Sequence, residues 1–187
     1  MTLFCPGITG AGKTILVSIV IDYLQRNLGD RDVGIAYLYC NFRRVDDQTV
    51  EQLIANLVRQ LLSNKFPPPP AVMDAYGQHK KHKSQLSLSD LEETFYAVAA
   101  LYKDGVCVIV DALDQCQMSD NICSKFIEAL LRLQSRESHI NILATSSPVP
   151  DIVEAFDGHS RLERVAQRDD DIERYMRNRM SNLRAVS

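Results

Sequence analysis

No apolar run in the 187 residues is long enough to span a membrane, and the start lacks the basic-then-apolar pattern of a secretory signal. There is no C-x-x-C pair. The five cysteines, Cys5, Cys40, Cys107, Cys116 and Cys123, form an odd set without metal-ligand spacing. Such a set argues against a disulfide framework and for reduced thiols packed in the core of a cytoplasmic protein. A strong charge of either sign is missing too. The formal net charge of −3 speaks against nonspecific nucleic-acid binding as the main activity. No internal repeat is present. His79 and His82 have the spacing of metal ligands but no acidic or cysteine residue nearby to complete a site.

What is present reads as one globular domain over residues 1–187, with 45% hydrophobic and 24% charged residues, both ordinary values. Short apolar runs alternate with helical periodicities. Strands are expected at residues 3–5, 34–42, 106–110, 140–145 and 162–165. Helices are expected at 13–28, 49–64, 89–103, 121–135 and 169–183. The third of these would start from a capping box of Ser89 and Glu92. Residues 65–87 interrupt the alternation with four consecutive prolines, Pro67 to Pro70, and a basic run around His79 to Lys83. They read as an irregular connection with a helical turn near residues 72–76. Pro148 and Pro150 break the pattern again. Strands joined by helices of this length imply parallel crossovers, hence an α/β three-layer sandwich around a mainly parallel sheet.

The strongest local signal is Gly7-Ile8-Thr9-Gly10-Ala11-Gly12-Lys13-Thr14, a complete G-x-x-x-x-G-K-[ST] phosphate-binding loop between an apolar strand and a helix. Gly7, Gly10 and Gly12 are expected to free the backbone so that successive N–H groups turn inward around a phosphate. The helix that follows adds its positive dipole end. Lys13 offers a mobile charge to the outer phosphates, and the Thr14 hydroxyl is placed for magnesium. The glycine order does not match the G-x-G-x-x-G of a dinucleotide site.

A second motif lies downstream. The apolar run Val106-Cys107-Val108-Ile109-Val110 leads directly into Asp111-Ala112-Leu113-Asp114-Gln115, an apolar strand ending in aspartate. Asp111 would emerge at the carboxyl edge of the sheet and share magnesium with Thr14.

DALDQC, with its small residue after the first aspartate and a second acid three positions on, resembles the Walker B motif of NACHT-type NTPases, members of the STAND class of P-loop proteins. GITGAGKTILVSIVIDYL, YLYCNFRRVDDQTVEQLIANLVRQLL, ILATSSP and DDDIERYMRNRM are similar, in the same order, to that family's first loop and helix, second strand and helix, sensor strand and final segment. The nephrocystin-like subgroup, found in large fungal repeat proteins, is the nearest in character. The resemblance covers nearly the whole chain. It implies a sheet of order 5-1-4-3-2, bound ATP or GTP with Mg²⁺ (ATP favoured) and a signal-transduction switch that hydrolyses slowly. It further implies a core excised from or truncated relative to a larger protein, with flanking effector or repeat domains, protein partners and oligomer formation on activation. Neither nucleic acid nor membrane is expected as a partner.

Two departures bear on catalysis. The family commonly has glutamate where this chain has Gln115, which can orient a water but cannot readily take its proton. Asp114 is then the remaining carboxylate beside Asp111 for polarising the attacking water. The arginine expected after Thr145 and Ser146 is Ser147, which removes a cation that would stabilise charge on the transferring phosphate. A second reading is therefore a non-hydrolysing nucleotide-binding or scaffold module. A third, a small-molecule kinase, fits the second acid at Asp114 poorly. Arg43 and Arg44, after the second strand, and Arg161 and Arg164, near the last, read as surface arginines. The guanine-specificity sequence N-K-x-D is absent.

Overall fold

A computed structural model describes residues 1–28, 31–41, 49–63, 65, 68, 86–116, 121–137, 139–159 and 161–162. Five strands form one sheet: β1 (Thr2–Pro6), β2 (Gly34–Tyr39), β3 (Val106–Asp111), β4 (Ile140–Ser146) and β5 (Arg161–Leu162). Every pairing is parallel and the order is β2-β3-β4-β1-β5, the 5-1-4-3-2 order implied by the resemblance. The helices are α1 (Lys13–Asn27), α2 (Val50–Ser63), α3 (Leu88–Ala99), α4 (Ile122–Arg136) and α5 (Pro150–Phe156). Expected features in 42–48, 69–85 and 163–187, including Arg43, Arg44, Arg164, the basic run, the turn near 72–76 and the final helix, lie outside the described residues.

The layers are unequal. On one face, α2, α3, α4 and α5 pack on alternate strand residues such as Phe4, Ala36, Val108, Ile142 and Ala144, all essentially buried. Phe4 of β1 stacks on Phe156 of α5 with centroids 4.3 Å apart. On the other face, among the described residues, α1 inserts Val17 and Ile21 against Ile109. The intervening strand residues there, Leu3, Ile35, Tyr37, Cys107 and Leu143, are half-buried.

Several elements differ from expectation. β2 ends at Tyr39 rather than at residue 42, and β5 is described at Arg161–Leu162 where a strand was expected at 162–165. The cap of α3 is Ser87, not Ser89: its hydroxyl accepts from the Asp90 N–H, and the Asp90 carboxylate accepts the Ser87 N–H in return. Starting earlier turns Leu91, Phe95 and Val98 into the core and frees Glu92 to pair with Arg132 of α4 at 2.8 Å. The same helix stops at Ala99, because Tyr102 folds back to donate its hydroxyl hydrogen to the Leu61 carbonyl at 2.5 Å. Finally, Pro150 does not merely interrupt. It opens α5 at a position where its missing N–H has no helical partner to lose.

Cys40, Cys116 and Cys123 are buried around the end of the apolar strand β3. The adjoining Cys40 thiol, and then burial, push the Cys116 thiol far above its ordinary range, and burial lifts Cys123 to about 12. These are neutral packing groups.

Candidate functional site

The loop between β1 and α1 lies at the carboxyl edge of the sheet. Gly10 and Gly12 take left-handed φ values of 85° and 86°, and Gly12 caps α1. A Cβ at either would meet nothing within 4 Å, so conformation rather than space demands glycine there. Gly7 differs from expectation. It is buried without a left-handed φ, and its N–H donates to the Ser146 carbonyl at 3.0 Å, carrying the β1–β4 ladder one residue further.

Lys13, in the first turn of α1, donates through Nζ to the carbonyls of Gly7 and Ile8 at 2.7 and 2.9 Å. Its charge is thus folded over the mouth of its own loop. Thr14 is exposed beside it, as are Ile8, Thr9 and Gly10, while Ala11 and Gly12 are half-buried.

Asp111 ends β3 with 2% of its surface exposed. The pairing of Val110 with Ala144 brings the next residues, Asp111 and Thr145, side by side. The Thr145 hydroxyl donates to Asp111 Oδ1 at 2.6 Å and accepts the Ala112 N–H at 3.0 Å. Ala112 itself is left-handed at φ 58°, a conformation that costs a non-glycine residue about 1–2 kcal/mol. The strain turns the chain into the single 3₁₀ turn Leu113–Gln115 and holds Asp111 and Asp114 at one edge.

Asp114, Gln115 and Ser147, separate signals in the sequence, form one cluster. Asp114 Oδ1 accepts the Ser147 N–H at 2.8 Å, and its Oδ2 accepts from Gln115 Nε2 at 3.1 Å. Burial works against its ionisation, yet hydrogen bonds from Ser147 and Gln115 outweigh that and hold the carboxyl below its ordinary range. A lowered folded-state pKa means a stabilising contribution complete above about pH 4, the unfolded value, and lost as pH falls through the lower folded value. Below about pH 4 the native chain should therefore lose unfolding free energy more steeply than Asp114→Asn. Equal acid slopes in urea titrations would rule the linkage out.

The residues suit a magnesium nucleotide. Asp111 and Thr14 are hard oxygen donors on neighbouring elements, and among the described residues no cationic side chain forms an ion pair with the buried Asp111. A loop with two left-handed glycines, a helix N-terminus and a lysine ammonium suits an anion. The sequence reading missed Thr145 as the partner of Asp111 and the Ser147 backbone as the support of Asp114. The β3–β4 register reveals the first, and the turn at Ala112 the second.

The family model described as nephrocystin 3, N-terminal, matches residues 1–147, from β1 through the sensor strand to Ser147. The chain belongs to the nephrocystin 3 N-terminal family. No curated protein matches it. Among solved structures, this nephrocystin 3 N-terminal domain is similar to the ORC1 protein of Aeropyrum pernix in complex with DNA. The two share 14% identity and a TM-score of 0.61, over 95% of this chain and 44% of that one. The ORC2 protein of the same organism, in ADPNP–ADP complexes, follows with 17% identity and a TM-score of 0.55 over 87% of this chain and 40% of that one. The Walker-type ATPase PABY2304 of Pyrococcus abyssi has 16% identity and a TM-score of 0.52 over 88% and 48%. This chain spans less than half the length of each. At such identities the likeness concerns the fold, which is that of a P-loop NTPase domain. Among the described residues no helix is long and apolar enough to cross a membrane.

Proposed function

We propose that this domain is a nucleoside-triphosphate-binding switch, with ATP favoured over GTP, that hydrolyses its nucleotide slowly and transmits its state to neighbouring domains or protein partners in the cytoplasm. The observation that carries the reading is the loop itself, in which Gly10 and Gly12 are left-handed and Lys13 is poised over the Gly7 and Ile8 carbonyls, at the same carboxyl edge of the sheet as buried Asp111. Lys13 exchanges those two carbonyls for phosphate oxygens when nucleotide enters, and the N–H groups from Thr9 to Thr14 cradle the anion. Bound magnesium would supply charge neutralisation between phosphates, with Thr14 and Asp111 as the residues that hold it. Asp114 orients the attacking water. It is a weak base, because donors from Ser147 and Gln115 stabilise its ionised form. That same network supports the second reading, a module that holds nucleotide without turning it over.

Nucleotide affinity and phosphate release by the native chain, Lys13→Ala and Gln115→Glu separate the two. Lys13→Ala should lose magnesium-dependent binding. Gln115→Glu should keep binding and release phosphate faster, because a second carboxylate beside Asp114 raises the proton affinity of the pair. Folded native protein that binds no nucleotide would end the switch reading. Binding without phosphate release in either the native chain or Gln115→Glu would select the non-hydrolysing module.

A further inference from the structure

Among the described residues β2 pairs with β3 alone and stands at an edge of the sheet. The Gly34 and Cys40 N–H groups donate to the Gly105 and Asp111 carbonyls on that side. Backbone polar groups alternate in direction along a strand, so Ile35, Tyr37 and Tyr39 turn theirs the other way. An outward row of this kind is a template for another strand. The local sequence makes it an apt one. Val33 to Phe42 contain no charged residue and no proline, and the strand itself, GIAYLY, is apolar and aromatic. Segments of that composition pair with copies of themselves. The usual protections of an edge, a lysine, a proline or a bulge, are missing from β2, whose register with β3 is unbroken.

The place at Tyr37 is taken by a side chain. Gln60 of α2 accepts the Tyr37 N–H through Oε1 at 3.0 Å and donates from Nε2 to the Tyr37 carbonyl at 2.8 Å. One amide thus offers a single residue both an acceptor and a donor, as a neighbouring strand would. The helix sets its position. Leu53, Leu57 and Leu61 turn α2 into the core, and Asn56 and Gln60, four residues apart, run along the flank of that stripe. Asn56 Oδ1 also accepts from Gln60 Nε2, at 3.1 Å, which orients the amide. Burial of the apolar stripe already fastens α2 to the sheet, so two hydrogen bonds at its rim add little to the fold. Their larger effect is exclusion. No strand pairs across Tyr37 without displacing Gln60, whatever covers the rest of the edge. We propose that Gln60 guards the β2 edge, holding Tyr37 shut against the β2 strand of a second copy of this chain.

Q60S and Q60L test this, one side chain too short to reach Tyr37 and the other without a polar group. Sedimentation of the full chain over a range of concentrations is read beside hydrogen exchange. Both variants should self-associate at least about tenfold more tightly than the native chain, the worth of one or two net hydrogen bonds. The Tyr37 amide, protected at every concentration in the native chain, should exchange freely in the dilute variants and regain protection as they associate. Y39K adds a lysine at the exposed end of the same edge. Combined with either variant, it should restore native association while the Tyr37 amide stays open. Protection kept over β3 and β4 shows the fold intact in each. Variants that associate no more tightly than the native chain would overturn the proposal. So would association that leaves the Tyr37 amide exposed, that Y39K does not reverse, or that occurs in Q60L alone and so traces to the new leucine.

Discussion

Gly105→Ala should cost about 4 kcal/mol of unfolding free energy, a large part of the roughly 5–15 kcal/mol that holds a typical domain together. Gly105 has a φ of +94°, and a Cβ there would stand 2.5 Å from the His139 carbonyl oxygen. That oxygen cannot retreat, since it accepts the Val106 N–H that starts the pairing of β3 with β4. Nor can the Gly105 carbonyl, which accepts the Gly34 N–H at 2.9 Å on the β2 side. The methyl group would therefore wedge β3 away from both neighbours, at the root of the strand that delivers Asp111. Gly34→Ala is the internal comparison. Its Cβ would stand 2.9 to 3.0 Å from the Leu61 and Tyr102 side chains, without a left-handed φ, so the contact falls on side chains and not on a strand backbone. Urea unfolding at constant m-value measures both. A Gly105→Ala loss no greater than that of Gly34→Ala would refute the account.

Thr145→Val should cost about 3 kcal/mol although it hardly changes the side-chain volume. The hydroxyl is wholly buried and serves two groups at once, donating to Asp111 and accepting from Ala112. Valine strips both partners, and each buried polar group left without one costs about 1–3 kcal/mol. Thr145→Ser should recover most of the loss, since it restores the oxygen. On the proposed function, the magnesium requirement of nucleotide binding should weaken in the valine variant and return in the serine variant. A valine variant as stable as the native chain would show that the Asp111–Thr145 bond does not matter to the fold.

The legible parts of the site were those that local chemistry dictates. Glycines at Gly10 and Gly12, with Lys13 and Thr14 after them, serve a loop whose geometry depends on a few consecutive residues. Asp111 was legible because it is the first acid after an almost wholly apolar run, at the carboxyl end of the strand. The capping box of α3 was misread by two residues. Ser87–Asp90 and Ser89–Glu92 are equivalent as patterns, and only the packing of Leu91 and Phe95 chooses between them. Gln115 and Ser147 were recognised as departures, but each was judged by the side chain that was missing. What matters in the fold is the bond each makes to Asp114, one of them from the backbone.

By itself, then, the sequence determined most of the strands and helices among the described residues, the left-handed positions of the glycine-rich loop and the class of domain, because propensity, periodicity and glycine conformation act over a few neighbouring residues; the helix that Pro150 opens escaped it. The tertiary structure decided which side chains meet. Register set Thr145 against Asp111, the left-handed turn at Ala112 carried Asp114 to Ser147, and the crossovers placed four of the described helices on one face and one on the other. Those contacts join residues more than thirty positions apart in the chain, and their partners are selected by the burial of the whole sheet, a quantity that no local pattern contains.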